Sequence, residues 1–395
     1  MLSIRVPEGV KDIKNQNKKQ LSERFCRSIR YFAVSVGAAA VCMLAVMGLL
    51  EPLGAWSKGS VEASAFNAGP SVSSSVQAAA GDAAPLPKVI PLGSAFGIKM
   101  FTDGVIVASL SDIYTEEGSV CPAKDSGIQP GDYVVAANGQ MLLHNSDLAR
   151  VIGGSAGEPV ELTVRREEET FSVSVTPVFS DGTFKTGMWI RDSAAGIGTL
   201  TFCDPETGAF AGLGHGICDM DTNGVIALKS GEPAPITLCG IVRGEKNNPG
   251  QLRGYFSSDA GMGALTANNE TGVYGTLTEI PEGKAIEVLP KEQVTEGMVQ
   301  LLVTLDETGP QLYDAEIERV SHDNARTRNL ILRVTDERLL ERTGGIVQGM
   351  SGCPILQNGK LAGAVTHVFT EDPTRGYGIF AQTMAAEISS SGMVK

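Results

Sequence analysis

The serine in Gly349-Met350-Ser351-Gly352 is the side chain of this sequence best suited to act as a nucleophile. A serine hydroxyl is a weak nucleophile, and it needs a general base and a site that binds the oxyanion. A glycine two positions before the serine can turn its N–H in the same direction as the serine N–H, and two such donors form an oxyanion hole. The pattern therefore predicts Ser351 as a nucleophile with the N–H groups of Gly349 and Ser351 as oxyanion donors.

A nucleophilic serine requires a base, and the sequence offers four histidines: His144, His215, His322 and His367. His215 lies between glycines, which is an environment poorly suited to a packed core. His144 and His322 lie in polar or charged turns, where a solvated side chain is expected. We therefore predict His215 as the general base.

The acid that would orient the base is not determined by spacing. Asp219, Asp306 and Asp336 all remain open for this role. Asp336 also precedes Glu337-Arg338-Leu339-Leu340, so it is equally suited to cap the amino terminus of a helix.

The elements around these residues are mainly short strands. From residue 187 to 395, runs of β-branched and apolar residues are bounded by Gly, Pro, Asn or Asp, which predicts a barrel or sandwich. Ile355–Phe369 reads as a hairpin around Asn358-Gly359, so Ser351 would lie on a tight loop that feeds a strand. The clearest helix in this region is Asp336–Thr343.

A smaller unit is predicted over residues 90–180. Val105–Ala108 and Tyr133–Ala137 are typical strands, and Asn138-Gly139 is a hairpin turn signal. Leu148 and Ile152 have helical spacing after a polar cap.

The amino-terminal part predicts a membrane anchor. Residues 1–30 hold eight basic and three acidic residues, and the twenty residues Tyr31–Leu50 carry no charge. This length spans a bilayer as a helix, and the basic flank predicts a cytoplasmic tail with the rest of the chain on the other side. Residues 51–89 are rich in Ser, Ala, Gly and Pro and predict a flexible stalk. Cleavage near Ala63-Ser64-Ala65 is the alternative to a retained anchor.

The composition disfavours several function classes. The net charge of −13 makes nucleic acid an unlikely partner. The seven cysteines include no CxxC pair, so neither a disulfide framework nor a metal site is predicted, and no metal or organic cofactor is implied. A cysteine peptidase that uses Cys353 or Cys218 with His215 stays open as an alternative.

Several long runs resemble the stage IV sporulation protein B peptidases. They are Ile190–Thr199, Leu213-Gly214-His215, Gly344–Gly352 and Gly363–Val368. The resemblance implies a trypsin-like double β-barrel peptidase domain over residues 187–395, with His215, Asp336 and Ser351 as its triad. In such a fold the strand and loop after the nucleophile border the substrate pocket, which nominates His367 and Tyr377 as specificity residues.

The middle unit resembles a PDZ domain, which binds the terminus of a peptide. The resemblance places its carboxylate-binding loop at Phe96-Gly97-Ile98 and a groove wall at Leu148 and Ile152. A non-catalytic adaptor that binds a partner through this domain is the alternative to an enzyme.

The resemblance also implies a biological setting. Such a protein is a single-pass membrane protein of the forespore, with its catalytic part in the space between two membranes, from which it is released if cleaved. It cleaves itself and then a membrane-anchored inhibitor of an intramembrane protease. This signalling step of sporulation leads to activation of a sigma factor.

Overall fold

The computed structural model describes residues 86–116, 118–258, 260–323 and 326–390. The predicted tail, the predicted span and nearly all of the predicted stalk lie outside these ranges. Within the described ranges, no helix combines the length and the apolar character needed to cross a bilayer.

The described chain is mainly β. The first twelve strands are β1 (Lys88–Pro91), β2 (Ala95–Leu110), β3 (Ile113–Thr115), β4 (Gly118–Val120), β5 (Tyr133–Ala137), β6 (Gln140–Met141), β7 (Val160–Arg166), β8 (Glu169–Val175), β9 (Val178–Ser180), β10 (Thr183–Lys185), β11 (Met188–Cys203) and β12 (Ala209–Gly212). The remaining strands are β13 (Leu228–Ala234), β14 (Ile236–Val242), β15 (Gln251–Phe256), β16 (Gly263–Asn269), β17 (Gly272–Leu277), β18 (Ile286–Glu287), β19 (Gly297–Thr304), β20 (Pro310–Val320), β21 (Leu330–Val334), β22 (Pro354–Gln357), β23 (Lys360–Val368) and β24 (Arg375–Phe380). The helices are α1 (Pro122–Asp125), α2 (Asn145–Gly153), α3 (Glu337–Thr343) and α4 (Ala381–Ser390), with a 3₁₀ turn at Lys291–Gln293.

The first barrel is a curled sheet in which β13, β2, β11, β12, β17 and β16 follow one another by antiparallel pairing. Its two ends meet where the Met262 N–H donates to the Pro233 carbonyl over 2.7 Å. Phe96, Ile98 and Phe210 are among the apolar side chains that fill its interior.

The second barrel is closed by six strands in the order β19, β20, β21, β24, β23 and β22. Alternate residues of β19 and β21 point inward, so that Leu301 and Leu332 are fully buried. The segment between α3 and β22 carries Ser351 and packs Met350 into this core. The barrel therefore anchors the loop that carries the predicted nucleophile.

The middle unit is inserted into the first barrel. Strands β2 and β11 pair along nearly their whole length, from Ala95 opposite Thr199 to Leu110 opposite Met188. Their outer ends join β5, β7, β8 and α2 around a separate apolar core. Because this unit leaves and re-enters through two paired strands, the first barrel contains residues from before and after it.

The insertion corrects the predicted domain limits and the predicted peptide-binding loop. Strand β1 already pairs with β11, and β2, from Ala95 onward, is a strand of the first barrel, whereas the sequence predicted the peptidase domain to begin at 187. Phe96-Gly97-Ile98 is not a loop, because it lies inside β2 and pairs with both β11 and β13. Phe96 and Ile98 are buried in the barrel, and at Gly97 a Cβ would lie 2.4 Å from the Phe256 ring.

Helix α2 forms where its spacing predicted it. Leu148 and Ile152, predicted to line a groove, instead face the core of the middle unit.

Candidate active site

A cleft of about 940 Å³ is lined by residues of both barrels. The first barrel contributes Leu213 and His215 from the loop after β12. The second contributes Gly349 and Ser351 from the loop before β22, and His367 from β23. The fold thus brings together the predicted nucleophile, base and oxyanion donors, which are more than 130 positions apart in the sequence.

The nucleophile loop presents two backbone donors. Among the described residues, the N–H groups of Gly349 and Ser351 have no hydrogen-bond acceptor, whereas the Met350 N–H between them donates to the Val347 carbonyl over 3.1 Å. Gly349 has a φ of 100°, a left-handed conformation that favours glycine. The serine hydroxyl donates to the Thr366 carbonyl over 2.6 Å. The loop can therefore offer two N–H groups to a developing oxyanion beside Ser351 Oγ.

The His215 loop turns sharply after β12. Leu213 and Gly214 both have left-handed φ values, of 66° and 69°. The imidazole Nδ1 lies 2.8 Å from the carbonyl oxygen of Gly216. Burial, followed by the charge of Arg328, lowers the pKa of His215, so the ring is neutral at neutral pH and able to accept a proton.

Comparison with known families agrees with this arrangement. Residues 182–385, more than half of the chain, match the family described as SpoIVB peptidase S55. The chain belongs to the SpoIVB peptidase S55 family. The match makes the two-barrel part a serine peptidase domain, and residues 115–166 match the PDZ domain family.

Solved structures similar to this S55 peptidase include two proteases. The active form of the Rv3671c protease from M. tuberculosis is 15% identical, with 51% of this chain and 76% of that chain covered and a TM-score of 0.32. The HtrA-type protease AlgW, solved with a decapeptide, is 13% identical, with coverages of 54% and 55% and a TM-score of 0.30.

Two curated relatives match a smaller part of the chain. A candidate zinc metalloprotease of Lactococcus lactis is 30% identical over 122 residues, which are 31% of this chain and 27% of that protein. A candidate zinc metalloprotease of Brucella suis is 26% identical over 115 residues, with coverages of 28% and 30%. The S55 peptidase therefore spans less than a third of the length of these relatives.

Thr199 of β11 links the first barrel to the loop that carries Ser351, a role that was not predicted from the sequence. Its N–H donates to the Ser351 carbonyl and its hydroxyl to the Gly349 carbonyl, both over 2.9 Å. These two bonds fix the carbonyls of Gly349 and Ser351, the residues on either side of Met350. A sign of this role in the sequence is that Thr199 is a polar residue at the end of the Ile190–Thr199 run, directly before apolar strand positions.

His367 lies against the base rather than at a distance from it. The ring centroids of His215 and His367 are 4.6 Å apart. Burial, followed by the proximity of His215 and Arg328, lowers the pKa of His367 to about 4. Its Nδ1 is buried and has no hydrogen-bond partner among the described residues. His367 lines the cleft, whereas Tyr377 packs on Phe369 at 4.6 Å and is not among the described residues that line it. The specificity role of these two residues stays a prediction.

Asp336 caps α3 and is not among the described residues that line the cleft. Its carboxylate accepts hydrogen bonds from the N–H groups of Arg338 and Leu339 and from that of Asp314. The Arg338 guanidinium binds it as well, over 2.7 Å, and this bond is the main reason why the pKa of Asp336 is lowered to about 2. The structure does not bring Asp336 into contact with His215, and its role as the triad acid stays a prediction.

The other candidate acids are also engaged elsewhere. The Asp219 carboxylate is buried, accepts N–H groups of its own turn and pairs with Arg191 over 2.9 Å. Asp306 pairs with Arg342 over 2.8 Å. Neither aspartate is among the described cleft residues.

The cysteine alternative does not fit the structure. Cys353 is fully buried, and burial raises the pKa of its thiol to about 12. A thiol with that pKa supplies almost no thiolate at neutral pH. Cys218 lines the cleft, but burial raises the pKa of its thiol too. Ser351, whose loop offers two backbone N–H donors, therefore stays the predicted nucleophile.

The hydroxyl of Thr366 is an unusual feature of the site. Thr366 is 2% exposed and lies on β23, and its Oγ1 has no partner among the described residues. An unsatisfied buried hydroxyl costs about 1–3 kcal/mol. Its methyl group faces Gly214, where a Cβ would approach it to 2.9 Å, so the hydroxyl lies close to the His215 loop.

Proposed function

We propose that the chain is a serine endopeptidase in which Ser351 attacks the peptide carbonyl and His215 takes its proton. The observation that carries the proposal is the pair of unoccupied N–H groups of Gly349 and Ser351 beside Ser351 Oγ, in the cleft that also holds His215. Two such donors stabilise the tetrahedral oxyanion, which is the largest usual contribution to acyl transfer.

The reaction follows from this arrangement. Ser351 Oγ leaves the Thr366 carbonyl and donates to His215, which removes the proton as the oxygen attacks the substrate carbonyl carbon. The imidazolium then protonates the amine of the leaving peptide, and an acyl group stays on Ser351. A water molecule, deprotonated by His215, attacks this ester and releases the second product.

The substrates are proposed from the two domains together. The peptidase domain cuts the chain itself and a membrane-anchored regulatory protein that inhibits an intramembrane protease, as the family resemblance implies for sporulation signalling. The PDZ match supports binding of a peptide terminus by the middle unit. The predicted span Tyr31–Leu50 would hold the catalytic part at the outer face of the membrane.

Cleavage between copies of the protein tests this function. Tagged full-length Ser351→Ala is mixed with untagged wild type, and tagged fragments are followed by mass spectrometry. We expect tagged fragments only when wild type is present, because the alanine variant lacks the nucleophile. Cys353→Ser in place of wild type should cleave as well, because the buried thiol takes no part in the reaction. Equal fragmentation of tagged Ser351→Ala alone would disprove the assignment.

A further inference from the structure

Glu270 is the only carboxylate among the described residues that line the cleft. It lies in the turn between β16 and β17, at the end of the first barrel that also carries the His215 loop. Its side chain is exposed and has no hydrogen-bond or ion-pair partner among the described residues. No structural bond of the fold therefore occupies this carboxylate.

The turn that carries Glu270 is bonded to the His215 loop. Strand β12 pairs with β17, with Gly212 opposite Val273, so the chain segments beyond this pair lie side by side. The Asn268 side chain accepts from the Ile217 N–H over 2.8 Å and donates to the Ile217 carbonyl over 2.9 Å. At Gly216, a Cβ would lie 2.6 Å from the Asn269 carbonyl oxygen. The backbone that precedes Glu270 is thus packed against the loop that carries His215.

We propose that Glu270 is the positioning residue of the catalytic base: its carboxylate accepts the Nδ1–H of His215 and so directs Nε2 toward Ser351. This inference rests on the proposed peptidase function. A base that works through Nε2 needs a hydrogen-bond acceptor at Nδ1, which selects the tautomer and stabilises the imidazolium. In this structure Nδ1 lies at the Gly216 carbonyl, a neutral acceptor on its own loop. A carboxylate forms a stronger bond to an imidazolium than a carbonyl does.

The unsatisfied hydroxyl of Thr366 supports the same role. It is buried in the cleft lining, next to the loop that carries His215, and it lacks an acceptor. A carboxylate that turns inward from the hairpin has two oxygens, and it can accept from this hydroxyl as well as from the imidazole. The site therefore has two donors without a strong acceptor, His215 Nδ1 and the Thr366 hydroxyl. It has one acceptor without a donor, the Glu270 carboxylate.

The competing carboxylate is Asp336, which is held at the α3 cap by Arg338 and backbone N–H groups. Moving it to His215 would break these bonds, whereas Glu270 has none to break. The other titratable groups near the imidazole are Arg328, His367 and Cys218, whose thiol contacts the same Gly216 carbonyl as Nδ1. None of these three groups is a carboxylate.

The pH dependence of fluorophosphonate labelling distinguishes these carboxylates. The second-order rate constant is measured on the full-length protein from pH 5 to 9. We expect Glu270→Gln to lower it about 10⁴-fold, because removal of a triad carboxylate has effects of this order. The acidic limb of the curve of rate constant against pH should also move down by about one pH unit. The reason is that an imidazolium without a nearby carboxylate loses its proton more readily. Glu270→Asp should recover part of the rate.

Two control variants complete the experiment. Glu279→Gln makes the same charge change beyond the far end of β17, at an exposed position, and should label like wild type. Asp336→Asn should lower the urea midpoint through loss of the cap and keep the acidic limb at the pH of wild type. The proposal is overturned if Glu270→Gln labels within threefold of wild type with an unchanged limb, or if Asp336→Asn alone shifts the limb. Failure of wild type to label would instead overturn the peptidase function, and the role of Glu270 with it.

Discussion

Replacing His215 by glutamine is expected to lower the rate of peptide hydrolysis by roughly 10⁴–10⁶-fold, and replacing His367 by glutamine far less. The two rings lie 4.6 Å apart in the same cleft, so they form a matched pair for this comparison. Removing the base of a serine peptidase leaves only the oxyanion hole and substrate binding, and losses of this size follow. His367, whose pKa is lowered to about 4, is also neutral at neutral pH, but its ring packs against the ring of His215.

The measurement is kcat/KM at pH 8 on a peptide that spans the self-cleavage site, with unfolding midpoints recorded for both variants. Comparable midpoints show that the difference in rate comes from chemistry. A His367 variant as inactive as the His215 variant would contradict the assignment of the base.

The second large effect is expected from Gly352→Ala. Gly352 has a φ of 96°, and a Cβ there would lie 2.1 Å from the Thr199 carbonyl oxygen and 2.6 Å from the Leu213 nitrogen. A side chain must therefore push the nucleophile loop away from the first barrel. Left-handed strain and overpacking each cost about 1–3 kcal/mol, so we expect the free energy of unfolding to fall by roughly 2–6 kcal/mol. Hydrolysis should fall at least 100-fold, because the oxyanion donors shift with the loop.

Gly359→Ala provides the matched control for this prediction. Gly359 has a φ of 76° in the turn between β22 and β23, and a Cβ there would meet no atom within 4 Å. Its variant therefore reports the backbone strain without the steric clash. Urea unfolding of both variants separates the two contributions. Equal stability losses in the two variants, with activity retained in Gly352→Ala, would show that the close contact with Thr199 is unimportant.

The placement of Ser351 and His215 in one cleft could be anticipated because their signals in the sequence are local. Gly349 and Gly352 around Ser351 mark backbone conformations that other residues rarely adopt, and glycines around His215 disfavour a packed core position. The aspartate before α3 carried a capping signal, and the structure bears that signal out. Each of these predictions used fewer than ten consecutive residues.

The insertion of the middle unit could not be predicted in this way. The run Phe96-Gly97-Ile98 has the composition of a carboxylate-binding loop and also that of a buried strand. Pairing with β11, about a hundred residues later in the chain, decides between them. Glu270 was missed for the same reason, since its place beside His215 depends on the register of β12 and β17 and on no local motif.

Fluorophosphonate labelling of the full-length protein, followed by peptide mapping, shows directly which residue is the nucleophile. We expect a single stable adduct on Ser351, absent from Ser351→Ala and formed much more slowly in His215→Gln. An adduct on another residue, or equal labelling of Ser351→Ala and wild type, would contradict the claim that Ser351 is the nucleophile of this peptidase.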